Sequence, residues 1–528
     1  MLENLRMTLS PTEATVGHRS GLSWPLLVAA STFLVLLTRG AMLADGDLYW
    51  HIVAGRWMFH HLAIPTSDPF SYTMPGAPWI AHEWLAEILY AGAYSLGGWS
   101  ATVGLAAAAF ATALAILTRY LLRHLEPLYS LVLASMAFSM ASPHLLARPH
   151  TLAAPLLVYW TVALLRAREL NRAPPLWVAL LMVLWANLHG SFVFGLALGG
   201  AFSAEAVLAA EGSAARWHAA RQWSGFLLAA LLASMANPHG PYSLLFAYDL
   251  SQMNFITQIS EWGPTNFDRV RPFEIWLLIG AAALMTRGLR LPPVRLVMLI
   301  GLVHMALHHR RHQDLLGFLG PAIVAEALGA QWFAARGTTQ NAVMLDRLFA
   351  SFAPPAKKVV CAIVLAVLAA AGIAATRIDA LRPPSITTPD AALAAVRAAY
   401  PGGSTPFPAR VLNSSEFAGY LIFNGIAPFI DARGDMYGDE FFFNYQNALH
   451  LKDSELLPKL LERYQVGWTL LRPGLPAVAL LDRLPGWKRL YADETAVVHV
   501  RKDDRRAVAE MAEGGGSGRG LRCLEPLR

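Results

Sequence analysis

Runs of roughly 18 to 22 residues with little or no charge recur along most of this chain, and that is the length an α-helix needs to cross the hydrocarbon core of a bilayer. Candidate spans fall at 21–43, 99–120, 127–143, 149–165, 174–188, 190–209, 222–237, 272–286, 293–308, 313–335 and 357–376. Of the 528 residues, 55% are hydrophobic and only 15% charged, which excludes an ordinary soluble domain. The expectation is a polytopic α-helical membrane protein of about 11 transmembrane helices.

Charge tests this threading independently of hydropathy. With residues 1–20 as a cytoplasmic N-terminus, the inside loops hold fourteen Lys/Arg against four Asp/Glu, and the outside loops hold six against nine. That asymmetry is what the positive-inside rule expects. The stretch HEWLAEILYAGAYSLGGW (82–99) carries Glu83 and Glu87 on one helical face, so it is expected along the membrane surface, within an outer loop 44–98. Promoting it to a span would invert every later loop. The net charge of +6 falls mostly between apolar runs, so it signals topology and not nucleic acid. No A-x-A-like cleavage site follows the first apolar run, which is therefore expected to stay as an anchor. Cys361, inside an apolar run, and Cys523, in a Gly/Arg-rich segment, imply no disulfide framework.

A transmembrane domain over 21–376 would thus deliver the chain to the outer face. Residues 377–405 form a Pro/Gly-punctuated amphipathic linker, and 406–504 alternate β-rich and helical patterns, the mark of an extracytoplasmic α/β domain. Expected strands there are ARVLN, APFID, GWTLL, KRLYA and AVVHV. The Gly-rich tail 505–528 is expected to be disordered.

The unusual polar residues gather on the outer side: DGDLYWH (45–51), WIAHEW (79–84), SPHLLARPH (142–150), ANLHGS (186–191), NPHGPY (237–242), ISEWGPTNFDR (259–269) and HHRRHQD (308–314). Ionisable groups at membrane depth are costly and mark functional cavities. Each motif also has a plainer explanation. A lone Asp-x-Asp is often a solvated loop or a helix cap, and Trp50, Trp57, Trp79 and Trp84 fit an aromatic belt at the membrane interface. The convergence of motifs outweighs any one of them. Neither H-E-x-x-H, Cys-x-x-Cys, a P-loop, a G-x-S-x-G elbow nor a dinucleotide fingerprint is present.

Taken together, DGDLYWHIVAGRWM, IPTSDPFSYTMPGAPWIAHEWLAE, ARPH, ANLHGSFVFG, NPHG and ISEW resemble the GT-C superfamily of integral-membrane glycosyltransferases, and within it a bacterial set. The segment VLNSSEFAGYLIFNGIAPFIDARGDMYGD is similar in layout to the external domain of oligosaccharyltransferases. The Trp-Trp-Asp motif is missing, with Ser415, Glu416 and Phe417 near its place, which argues against peptide N-glycosylation.

The resemblance implies a multi-pass enzyme of the inner (cytoplasmic) membrane. It would transfer a sugar, with inversion, from a polyprenyl-phosphate or polyprenyl-diphosphate donor to a glycan, lipid or protein acceptor at the outer face. Such chemistry needs a carboxylate to take the acceptor proton and cations to stabilise the departing phosphate. Asp47 is the expected base. Asp45 would orient it, raise its pKa or, with Asp47, bind a divalent cation such as Mg2+ or Mn2+. Arg310, Arg311, Arg148 and His150 would offset phosphate charge, while His51, His82, Glu83, Asn187, His189 and His239 would line the substrate pocket. Two other readings keep the cavity without this chemistry: a flippase of lipid-linked sugars, and a non-catalytic subunit of a glycan-assembly complex. The first should show inverted repeats or interrupted midplane helices, and the second should have lost the acidic pair. Neither is seen in the sequence.

Overall fold

The computed structural model describes residues 21–333, 344–378, 381–399 and 409–502. The expected N-terminal segment 1–20, part of the linker and the tail 505–528 lie outside the described residues.

Helices dominate as far as Ile378. In order they are α1 (Trp24–Leu37), α2 (Asp47–His61), α3 (Trp84–Leu121), α4 (Pro127–Ala141), α5 (Pro149–Glu169), α6 (Leu181–Leu188) and α7 (Phe192–Ala209). There follow α8 (Ser213–Ser234), α9 (Tyr242–Gln252), α10 (Pro272–Arg287), α11 (Pro293–His308), α12 (Gln313–Leu328), α13 (Met344–Ser351) and α14 (Lys358–Ile378). Helices α1, α4, α5, α10 and α11 open with proline in the first two positions, where its missing N–H costs nothing and its fixed φ suits the helix.

Among the described residues, five helical segments are long and apolar enough to span a bilayer: Trp84–Leu121, Pro149–Glu169, Phe192–Ala209, Arg310–Trp332 and Lys358–Ile378. Three shorter apolar ones are Trp24–Leu37, Leu176–Leu188 and Pro293–His308. The chain is an integral membrane protein. Its spanning core is built around α3, which packs against α1, α2, α5 and α14. Within α3 the helix breaks at Gly97 and Gly98, the latter at φ 59°, where a side chain would be strained. The break separates the Glu83/Glu87 segment from the longer apolar part of the helix.

Beyond α14 comes α15 (Asp390–Ala399), and then a mixed domain: β1 (Arg410–Asn413), α16 (Ala418–Phe423), α17 (Gly434–Leu449), α18 (Leu456–Arg463), β2 (Val466–Leu471), α19 (Pro476–Leu481), β3 (Trp487–Ala492) and β4 (Val497–Arg501). The sheet order is β1-β2-β4-β3, with β1 and β2 parallel and the other pairs antiparallel. β2 is buried along its whole length, as VGWTLL requires of a central strand covered on both faces. One expected strand is absent: APFID is irregular. There the Phe429 N–H is taken by Asn413 Oδ1 and Asn413 Nδ2 donates to the Ile430 carbonyl, so side-chain bonds replace a ladder, and Pro428 could not have donated to one.

The two parts meet where α16 lies on α2. A Cβ on Gly419 would stand 2.0 Å from the Gly46 carbonyl oxygen, so only two glycines allow this approach. Tyr49 anchors the contact, its ring edge-on to Trp99, Tyr420 and Phe423 and its hydroxyl 2.9 Å from Thr388. The approach puts the first turn of α2, and with it Asp47, under the C-terminal domain.

Candidate active site

A cavity of about 490 Å³ opens between the ends of the spanning helices, the loop before α3 and the C-terminal domain. Its polar centre is Arg148, the residue before α5, whose Pro149 fixes it in extended backbone. The guanidinium grips Asp45 through Nε and Nη2, the latter at 2.8 Å. It also reaches Asp47 Oδ2 at 3.3 Å and Glu261 Oε1 at 2.7 Å. Arg311 stands 3.9 Å from Glu261 and lies over the Trp262 ring.

This arrangement splits the acid pair. Burial alone would raise Asp45, but Arg148 holds its carboxyl below the usual range. Asp47 is pushed up to about 7, by burial first and then by the negative charge of Asp45, which the pull of Arg148 does not overcome. The Asp47 side chain is 33% exposed and lines the cavity, whereas Asp45 is 5% exposed and sits behind Arg148. One carboxylate is therefore structural and ionised, and the other is open and poised to exchange a proton near neutrality. Glu261 stays below its usual range because Arg148 and Arg311 outweigh its burial.

A second polar group sits deeper. Glu83 lies 3.4 Å from His189 Nε2, 3.7 Å from His82 and 4.0 Å from His51, and His51 Nδ1 is 3.5 Å from Glu87. Burial drives His51 down to about 3, so it is neutral at ordinary pH. Burial raises Glu83 as well, against the pull of His82, Arg311 and Arg148. Trp50 Nε1, His51 Nδ1, Glu87 Oε2, His239 Nε2 and Arg433 Nη1 are buried without hydrogen-bond partners, and all belong to cavity-lining residues. Below them Ala153, Leu157, Phe192 and Phe318 supply an apolar floor from the spanning helices.

Of the residues picked out by sequence, Asp47, His51, His82, Glu83, Arg148, His150, His189, His239 and Arg311 line this one cavity. Asn187 does not. Its Oδ1 accepts from Trp84 Nε1 at 2.7 Å and its Nδ2 donates to the Val183 and Ala236 carbonyls, so its amide ties α3 to the end of α8. Arg310 is not among the lining residues either. Arg310–His312 form a 3₁₀ turn, where successive side chains diverge by about a third of a turn, so Arg310 and Arg311 face different ways. Trp50 and Trp79 are not belt residues: they are 8% and 4% exposed and line the cavity.

Asp435 and Arg433 also line the cavity, entering from the C-terminal domain. Their segment DARGDMYGDE (431–440), with four acids and Arg433 in one turn-rich stretch, reads from sequence either as a binder of sugar hydroxyls or a cation or as a solvated loop, yet nothing local says that Arg433 reaches Asp68 in the loop before α3.

The residues do not fit a divalent ion held by Asp45 and Asp47. Both Asp45 oxygens are engaged by Arg148, and among the described residues no group of three or more His, Cys, Asp or Glu is disposed to hold a metal. The Arg148 guanidinium, bonded to both carboxylates, supplies the positive charge between them.

No family model matches the sequence, and neither does any curated protein. Among solved structures the chain is similar to the archaeal oligosaccharyltransferase AglB from Archaeoglobus fulgidus in complex with an inhibitory peptide and a dolichol-phosphate. That match has 13% identity and a TM-score of 0.49 over 85% of this chain and 69% of the other. It is also similar to ArnT from Cupriavidus metallidurans bound to undecaprenyl phosphate, at 12% identity and a TM-score of 0.45 over 90% of this chain and 97% of the other. Both neighbours are membrane glycosyltransferases of the GT-C superfamily, the one these sequence motifs resemble.

Proposed function

We propose that this protein is a membrane glycosyltransferase that moves a sugar from a polyprenyl-phosphate or polyprenyl-diphosphate carrier to an acceptor on the outer face of the inner membrane. The observation that carries the reading is the division of labour at Arg148: a buried, ionised Asp45 and a cavity-facing Asp47 with a carboxyl near 7, on either side of one guanidinium.

In the proposed reaction the acceptor oxygen, or amide nitrogen, attacks the anomeric carbon as Asp47 takes its proton. The bond from that carbon to the phosphate oxygen breaks, and the electron pair leaves with the phosphate. Arg148 and Arg311 offset the charge that develops there. The apolar floor from α5, α7 and α12 suits the first units of a polyprenyl chain, and the unpartnered hydrogen-bonding groups suit a sugar. Attack from the side opposite the phosphate inverts the anomeric centre. The outward orientation rests on the loop charges, and glycans, lipids and proteins are the acceptor classes to test.

The test is purified protein in lipid nanodiscs, given a panel of polyprenyl-phosphate sugars and assayed for donor cleavage and product. Asp47→Asn should lower turnover by about 10²-fold or more with donor binding retained, the range for a lost general base. Full turnover in that variant would remove Asp47 from the role.

A further inference from the structure

The chemistry above uses the Arg148 end of the cavity. Another part of the lining comes from three segments remote in sequence: Trp50 and Glu87 on α2 and α3, Trp79 in the loop between them, and Arg433 with Asp435 from the C-terminal domain, Arg433 being held by Asp68 of that loop. Arg433 is its fixed point. Its side chain is 2% exposed. Nη2 donates to Asp68 at 2.7 Å and to Asp431 at 2.6 Å, Nε donates to Asp431 at 3.0 Å, and the guanidinium lies over the Trp79 and Phe70 rings at 4.7 and 5.1 Å. Burial opposes its charge, but the two carboxylates hold it protonated. Asp68 is anchored in turn by the backbone N–H groups of Phe70 and Ser71.

An arginine serving only to tie the domains together would be satisfied by those contacts. Here the clamp leaves one nitrogen over: Nη1 is buried, bonded to nothing, and belongs to a residue of the cavity wall. Trp50 Nε1 and Glu87 Oε2 are in the same condition, and Asp435 lines the wall beside them. Buried donors and acceptors left open in the lining of one cavity call for a ligand that both accepts and donates. An anion does not fit, because Asp68 and Asp431 already neutralise Arg433 while Glu83 and Asp435 stand nearby. A cation does not fit, because the rigid N–H groups of Arg433 and Trp50 present hydrogens to it. Hydroxyl groups fit both halves.

We infer that this wall is a sugar-hydroxyl subsite completed by the C-terminal domain: Arg433 Nη1 and Trp50 Nε1 donate to, and Asp435 and Glu87 accept from, the hydroxyls of an uncharged sugar ring. The C-terminal domain is then half of the binding site and not only a cover over it. The inference rests on the proposed transfer in taking a sugar as the ligand. The ring could belong to the donor or to the acceptor.

Two titrations of the full chain in nanodiscs, followed by tryptophan fluorescence, test it. One compares polyprenyl phosphate with its glucosyl, mannosyl, galactosyl and arabinosyl derivatives. The other adds the corresponding methyl glycosides to protein saturated with polyprenyl phosphate. A donor ring predicts that at least one glycosylated lipid binds about tenfold tighter than the bare lipid, roughly the worth of one or two hydrogen bonds, and an acceptor ring predicts saturable methyl-glycoside binding.

In either arm Arg433→Lys and Asp435→Asn should abolish the sugar preference and leave affinity for bare polyprenyl phosphate unchanged. Asp435→Asn spares the Asp68–Arg433–Asp431 clamp, so it decides the matter if the lysine variant does not fold. The subsite is overturned if wild type prefers no sugar in either arm, or if a variant with wild-type melting keeps the preference. In those cases bare-lipid binding and the loss of turnover in Asp47→Asn would still stand for the transfer reading, whereas failure to bind any of these lipids would sink both.

Discussion

Removing the Arg148 guanidinium, for example by Arg148→Met, tests the electrostatic plan of the site without knowledge of any substrate. Asp45 is 5% exposed and its neighbour Asp47 is of the same sign, so the variant strands a carboxylate that, among the described residues, has no other cation in contact. Breaking a buried ion pair from one side costs about 3 to 5 kcal/mol. Arg148 is itself 21% exposed to the cavity, which favours the lower end of that range. Asp45→Asn alone leaves Arg148 paired with Asp47 and Glu261 and should cost about 1 kcal/mol, close to one hydrogen bond. The double variant has no stranded charge and should recover about 2 kcal/mol relative to Arg148→Met, a coupling within the range for contacting residues.

The pH dependence separates this account from a simple loss of packing. In wild type the Asp45 carboxyl is lowered in the folded state. Its contribution is therefore complete above the unfolded value near 3.8 and is lost as pH falls below that, leaving stability insensitive to this group between pH 5 and 8. Asp47, raised to about 7, already makes wild type gain stability as pH falls through 7; without Arg148, burial raises Asp45 as well, so the variant should gain more than wild type between pH 8 and 5. Melting in detergent, followed by tryptophan fluorescence and gel filtration at several pH values, reads both effects. The reasoning fails if Arg148→Met melts with wild type, if Asp45→Asn does not restore it, or if acidification makes the variant worse.

Three further outcomes follow from the same geometry. With Asp47 as base near 7, turnover should rise through pH 7 and level off above it; Glu261→Gln removes a negative neighbour and should shift that rise to lower pH, so a shift upward would contradict the charge assignment. Gly419→Ala puts a Cβ 2.0 Å from the Gly46 carbonyl, forcing α16 off α2 by roughly 1 Å or more and cutting turnover by about 10²-fold at normal expression. Unchanged turnover there would show that the domain contact does not position Asp47. Asn187→Leu should lower the melting point by the worth of about 1 to 3 kcal/mol, because Trp84 and the Ala236 carbonyl lose their partner, with donor KM unchanged; a raised KM at normal melting would return Asn187 to the pocket.

The sequence alone determined that the chain crosses a membrane, that an acidic pair opens a long loop before the Glu83/Glu87 helix, and that a small α/β domain follows. Each is a local property. Apolar run length, helical periodicity and strand alternation are set by neighbours within a turn or two; APFID fails as a strand because Asn413, from another element, takes the Phe429 N–H and donates to the Ile430 carbonyl. Tertiary structure decided what the residues do. Arg148 meets Asp45 from 103 positions away, and Arg433 reaches Asp68 from the far side of the whole spanning region. Asn187 and His189 are two residues apart, yet one is spent inside the fold and the other faces the cavity. Side-chain direction at a helix end depends on the last turn and on what packs against it. Burial, which splits two aspartates of identical chemistry into a fixed anion and a titratable base, exists only once distant segments have closed around them.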